Sequence, residues 1–224
     1  MPFISSLEQA FEENYNAENA MAMAKYLKNN FVLYGLKTEE RRLILKKIWN
    51  KNQDEVTNNV REIALELFEK KHRDFHYSAI EIVTKELRKK FQLEDIDLIE
   101  KMIITHSWWD SVDSIAKNIL GVYLTTFPDE IDNTINRFSN SNTMWLNRSA
   151  LLFQLGYKEK TDFNLLKRLC EKHKHSNEFF IRKAIGWALR DYARTNPDAV
   201  FDYVDSTNLK PLSTKEALKH RVIL

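Results

Sequence analysis

Four residues at a fixed interval constrain this chain more than any other feature. Phe75, Asp110, Trp145 and Phe180 each follow the one before by 35 positions. Four residues past each anchor stand Ala79, Ser114, Ser149 and Ala184. Five past stand Ile80, Ile115, Ala150 and Ile185. A small residue followed by an apolar one at a constant period is the pattern of two-helix solenoid repeats, whose stacked helices need small side chains where their backbones approach. Three residues past each anchor lie Ser78, Asp113, Arg148 and Lys183. Equivalent positions of neighbouring repeats line up on one surface, so Asp113, Arg148 and Lys183 are expected to form a polar row. Trp109 lies four residues before Asp113 and Trp187 four past Lys183, which puts each tryptophan on the same helix stripe as a member of that row. An acid, two bases and two tryptophans in one row make neither a solvated face nor a core.

Local signals agree that the chain is helical. Gly and Pro number four each, too few for a turn-rich β fold, and 43% of residues are hydrophobic. Ser5 with Glu8 and Ser213 with Glu216 read as capping boxes. Ser107 reads as an N-cap with Asp110 reaching back, after which Trp108, Val112, Ile115 and Ile119 share one apolar stripe. Further helices are expected over residues 20–30, from Thr38 onward with Glu39 and Glu40 in the first turn, and over 55–70, 75–90, 93–105, 128–138, 143–155 and 162–173. Ser176 is expected to cap a helix running to Arg194, and Asn196-Pro197 to open a short one. Gly35 breaks the chain. No strand-like alternation competes, and one domain over residues 1–224 is expected.

Charge and cysteine content narrow the function. Residues 1–140 hold 19 Lys+Arg and 23 Asp+Glu, a net −4, whereas residues 141–224 hold 15 and 9, a net +6. A basic C-terminal part suits a polyanion, although the same charges could simply solvate helix faces. No run of eighteen apolar residues is present and the N-terminal residues lack the features of a signal peptide, so no membrane association is expected. The one cysteine, Cys170, can form no internal disulfide and fits a reducing cytoplasm. It is expected to be inert core beside Leu166. His72 and His76 stand four apart, but no metal motif supports them, so they are read as surface histidines and no metal is expected. His173-Lys174-His175 reads as a solvated helix end.

Three stretches carry a specific resemblance. Ser107-Trp108-Trp109-Asp110-Ser111-Val112-Asp113-Ser114, Trp145-Leu146-Asn147-Arg148 and Lys183-Ala184-Ile185-Gly186-Trp187 resemble the bacterial DNA alkylation repair glycosylase family (AlkD-like), and Thr38-Glu39-Glu40-Arg41-Arg42 adds to the likeness. The resemblance runs through nearly the whole chain. It implies an all-α, superhelical array of antiparallel helix pairs (HEAT/ARM-like repeats) with a concave surface around duplex DNA. It also implies excision of positively charged N3- or N7-alkylated purines without a base-flipping pocket, by a monomer that needs no cofactor. The family's catalytic cleft residues match Trp109, Asp113, Arg148 and Trp187. Tyr26, Thr38, Arg42, Lys183 and Arg190 resemble or accompany positions that hold the DNA backbone. The chain ends at Leu224, so a short C-terminal tail found in some relatives is expected to be absent.

The residue types suit that chemistry. An N3- or N7-alkylated purine already carries positive charge and leaves without protonation, so the remaining task is to stabilise a sugar that becomes oxocarbenium-like. Tryptophan faces attract a cation. Asp113 adds a full negative charge that could steady the sugar or orient water. Arg148 is expected to bind a phosphate through its two-pronged fork and, if close, to keep Asp113 ionised. Taken singly, the tryptophans could be packing residues, Asp113 an exposed acid paired with Lys117, and Arg148 a surface arginine. Two other functions remain compatible with the sequence: a DNA-structure-binding repeat protein without catalysis, and a protein-binding HEAT adaptor.

Overall fold

In the computed structural model, which describes residues 2–221, every named element is a helix, and extended pairing is limited to an isolated bridge between Val32 and His72. The helices separate into two units, Met1–His106 and Ser107–Leu224. The first holds α1 (Pro2–Glu13), α2 (Ala17–Tyr26), α3 (Thr38–Lys51), α4 (Gln53–Asn58), α5 (Val60–Glu69), α6 (Arg73–Glu86) and α7 (Asp95–Ile104). The second holds α8 (Trp109–Ile115), α9 (Gly121–Thr126), α10 (Ile131–Ser139), α11 (Met144–Leu152), α12 (Phe163–His173), α13 (Phe179–Tyr192), α14 (Pro197–Ser206) and α15 (Pro211–Ala217). Residues 222–224, on which the expectation about the tail rests, lie outside the described residues. No described helix is long and apolar enough to cross a membrane.

The 35-residue period marks helix starts. Asp110, Trp145 and Phe180 are each the second residue of α8, α11 and α13. These helices form a row: α8 packs on α11, α11 on α13, and α13 on α15, while α10 packs on α11 and α12 and α14 on α13. The small-then-apolar pairs lie inside it, with Ser149, Ala150, Ala184 and Ile185 fully buried. Side chains tie elements one repeat apart. Asp191 accepts from the Gly156 amide at 2.7 Å, and Tyr203 donates to Glu171 at 2.8 Å. At the head of the row Trp108, Trp145 and Phe180 pack with ring centroids 5.1 to 5.7 Å apart.

Several helix boundaries differ from the sequence expectation. α1 begins at Pro2, so Ser5 and Glu8 are interior, and Glu8 pairs with Lys70 at 2.8 Å instead of capping. The N-cap of α8 is Trp108, in extended backbone and without a side-chain cap bond, one residue after the expected Ser107. The 55–70 stretch is split at Asn59 into α4 and α5, and α13 starts after Glu178, two residues beyond Ser176. Asn196 does cap α14, its side chain accepting from the Ala199 amide, with Pro197 at the first position. Between α8 and α9 the chain makes one π-helical turn, Ala116–Leu120, so Trp109–Thr126 runs on with a single wide turn. Such turns recur next to functional sites.

The histidines also correct their expectation. His76 is fully buried, its ring stacked between Phe68 and His106 and 3.1 Å from the buried Arg73 guanidinium. His72 stacks on Tyr34 at 4.0 Å. His173 is half-buried, 2.8 Å from the Ser139 hydroxyl. Cys170 is fully buried as expected, and burial pushes its thiol up.

One glycine governs the end of the row. At Gly186 an added Cβ would lie 2.4 Å from Glu216 Cβ, 2.7 Å from the Ser213 carbonyl oxygen and 3.2 Å from the Ala217 nitrogen. The missing side chain lets the α15 backbone rest directly on α13. Gly186→Ala must push α15 outward, because two of the three obstacles are backbone, and should lower stability by about 1–3 kcal/mol. The midpoint of urea unfolding measures this, and an unchanged midpoint would contradict the close approach.

Candidate active site

The polar row predicted from the repeat lines a single cleft in the second unit. Trp109 and Asp113 come from α8, Arg148 from α11, Phe179, Phe180, Lys183, Trp187 and Arg190 from α13, and Glu216 from α15; the cleft encloses about 330 Å³. Helical spacing explains the arrangement. Trp109 and Asp113 are one turn apart, as are Lys183 and Trp187, so each helix offers an aromatic and a charged side chain on one stripe. Trp109 and Trp187 are neither buried nor freely exposed.

Asp113 and Arg148 meet as a two-pronged ion pair. Arg148 Nε donates to one carboxylate oxygen at 2.7 Å and Nη2 to the other at 2.8 Å, while Nη1 donates to the Phe180 carbonyl. The side chains are 5% and 13% exposed for Arg148 and Asp113. Burial pushes the Asp113 carboxyl above its ordinary value, with the neighbouring Asp110 adding to the rise, and the Arg148 bonds and charge pull it back. Both carboxylate oxygens accept, which is the pattern of the ionised acid. Arg148 is close enough to hold Asp113 ionised, as expected, and the reading of Asp113 as a lone acid paired with Lys117 does not apply. The pairing corrects one expectation. The Arg148 fork is engaged by Asp113, which leaves that fork unable to grip a phosphate, so Arg148 positions the carboxylate.

Lys183 and Arg190 also share an acid. Glu216 accepts from Lys183 Nζ at 2.7 Å and from Arg190 Nη1 at 2.6 Å, and Arg190 Nη1 also reaches the Glu216 backbone carbonyl at 3.2 Å. These two cations hold the Glu216 carboxyl down at about 2. The expected Ser213–Glu216 capping box is therefore not formed: the cap of α15 is Lys210, and the Ser213 hydroxyl donates to the Arg182 carbonyl at 3.0 Å. Asp113 is accordingly not the only acid of the row.

Residues 7–220 match the family described as DNA alkylation repair enzyme. The chain belongs to that family. It is also similar to a solved structure, a predicted DNA alkylation repair enzyme from Enterococcus faecalis, at 30% identity and a TM-score of 0.86; the match covers 94% of this chain and 98% of that one. No curated protein matches.

The remaining residues singled out for DNA stand in the first unit of this DNA alkylation repair family member. Tyr26 ends α2 and is 68% exposed, and Thr38, also exposed, opens α3 after the cap Lys37. Arg42 is exposed and its Nε donates to Glu81 at 3.1 Å, beside the buried Arg41, which reaches the same oxygen at 2.5 Å. Sequence reasoning missed Phe179, Phe180 and Glu216 as parts of the cleft. Phe180 carried a signal, since it is a repeat anchor. Glu216 lies 33 residues past Lys183, two short of the period, and its fit to a capping box hid it.

The buried pair predicts a specific cost. Arg148→Ala leaves a desolvated carboxylate without its partner, and should destabilise the protein by about 3–5 kcal/mol at pH 7. The deficit should shrink in mild acid, where Asp113, no longer held down by Arg148, takes up a proton. Urea unfolding at the two pH values measures both effects, and a cost that is small and independent of pH would contradict the pairing.

Proposed function

We propose that this protein is a monofunctional DNA glycosylase that hydrolyses the N-glycosidic bond of positively charged N3- or N7-alkylated purines, of the 3-methyladenine and 7-methylguanine type, in duplex DNA. The observation that carries the reading is the Asp113 carboxylate, fixed by Arg148 in a cleft that Trp109 and Trp187 also line. In this reading the helix pairs are HEAT-like repeats of one domain, the α8–α11–α13 row faces the DNA, and Tyr26, Thr38 and Arg42 hold its backbone. The enzyme acts as a cytoplasmic monomer, and the chemistry requires no metal or cofactor.

The steps follow from charge. As the C1′–N bond breaks, its electron pair leaves with the cationic base, which departs neutral, and positive charge develops on the sugar. The faces of Trp109 and Trp187 attract that charge and Asp113 stabilises it at short range in a partly desolvated cleft. Water then adds to C1′, and its proton passes to Asp113 or to solvent. The product is an abasic site. A neutral purine would leave as an anion and gains little here, so selection for charged lesions comes from the transition state and not from a tight base pocket. Contact runs through sugar and backbone, and the lesion base need not be turned out of the stack.

Release of free base from methylated duplex, with enzyme in excess, tests the reading. Wild-type protein should release 3-methyladenine and 7-methylguanine. Asp113→Asn should keep duplex affinity within about threefold, while excision falls by roughly 10²-fold or more, the scale expected for losing an electrostatic or general-base group. Because burial raises the Asp113 carboxyl, wild-type excision should decline as pH falls through a value above the ordinary 3.8, since protonation removes the charge. Unimpaired excision by Asp113→Asn would overturn the assignment.

A further inference from the structure

Glu216 stands between the two cations at the cleft wall. Lys183 and Arg190 are seven residues apart on α13, two turns along one face, with Gly186 between them. The gap at Gly186 admits the α15 backbone, and Glu216 then reaches forward to one cation and back to the other. Its side chain is 15% exposed, against 37% for Lys183 and 17% for Arg190. With Asp113 and Arg148 neutralising each other, the charged residues of the cleft are three bases and two acids, a net charge of one.

We infer that Glu216 is a positioning residue that sets how strongly the cleft grips the DNA backbone, by holding Lys183 and Arg190 in place and cancelling one of their two charges. This rests on the reading of the cleft as a DNA site. One uncancelled cation steers the backbone toward Asp113 and the tryptophans. Two would bind any phosphate backbone, damaged or not, and slow the search for a lesion. Two unscreened cations on one helix face would also repel each other, so the acid fixes their geometry as well as their charge.

The test is the salt dependence of binding to an undamaged duplex. Freeing one further cation for phosphate contact should steepen the slope of log K against log salt by about 0.9, and tighten binding roughly tenfold near 0.1 M salt. Glu216→Gln, which keeps the shape of the side chain, should show both changes. Glu216→Asp, which keeps the charge, should retain the wild-type slope, and Glu216→Gln combined with Lys183→Gln should return to it. Undamaged competitor DNA should inhibit excision at lower concentration with Glu216→Gln than with wild type. If Glu216 served only to seat α15, Glu216→Gln would weaken binding or leave the slope unchanged, and either result overturns the inference. The two readings fail separately. Wild-type protein that releases no base while Glu216→Gln steepens the slope would remove the glycosylase and keep this role. Wild-type protein that releases base while the slope stays fixed would do the reverse.

Discussion

The two-pronged bond between Arg148 and Asp113 is the interaction on which the second unit's cleft depends. It joins α8 to α11 at a separation of one repeat, and through the Phe180 carbonyl it extends to α13. Buried ion pairs contribute little net stability compared with apolar packing, because both charges lose water. What this one contributes is definition. A carboxylate with both oxygens engaged by one rigid guanidinium has a fixed position and a fixed charge, and the action on a developing cation proposed for this cleft needs both. Burial and the arginine pull the carboxyl in opposite directions. The charge is therefore maintained by a partner and not by solvent, and in such surroundings it acts more strongly at short range.

The same logic, with a different partner, shapes the other end of the cleft. Glu216 gathers Lys183 and Arg190 as Arg148 gathers Asp113, and in each case the bond crosses between helices packed in sequence along the row. The carboxylates differ in consequence. Asp113 is raised by burial and Glu216 is held down at about 2 by two cations, so the two acids of one cleft are shifted in opposite directions. Phe179, 51% exposed, stands edge-on against Phe180 and gives the wall an apolar face alongside the charges.

Much of this was legible in the sequence because a repeat converts spacing into position. The 35-residue interval placed Asp113, Arg148 and Lys183 in one row, and all three line the cleft with Trp109 and Trp187. The helical class followed from capping residues, apolar periodicity and the scarcity of glycine and proline. What stayed hidden has specific causes. Capping motifs are short and recur by chance inside helices, which misled the reading at Ser5, Ser107 and Ser213. A π turn such as Ala116–Leu120 leaves no periodic mark in so short a stretch. Pairing is the least visible: the sequence shows that Arg148 and Lys183 are cations, but whether each faces a phosphate or an acid depends on helix approach, and here the packing of α8 on α11 and the gap at Gly186 decide it. His76 was misread for a similar reason, since only tertiary packing reveals that Phe68, His106 and Arg73 enclose it.

The central claim is that Asp113 acts on positive charge developing at the sugar. The most direct measurement compares affinities for two duplexes that differ only at one site, where the sugar is replaced by a cationic pyrrolidine or by a neutral tetrahydrofuran ring. A site complementary to the transition state binds the cationic surrogate more tightly. The account predicts that wild-type protein prefers the cationic duplex by at least roughly tenfold, about the effect of a single short-range charge contact worth 1.4 kcal/mol, and that Asp113→Asn loses most of that preference while binding the neutral duplex normally. An equal preference in both proteins would contradict the account, because the charge felt by the sugar would then come from elsewhere.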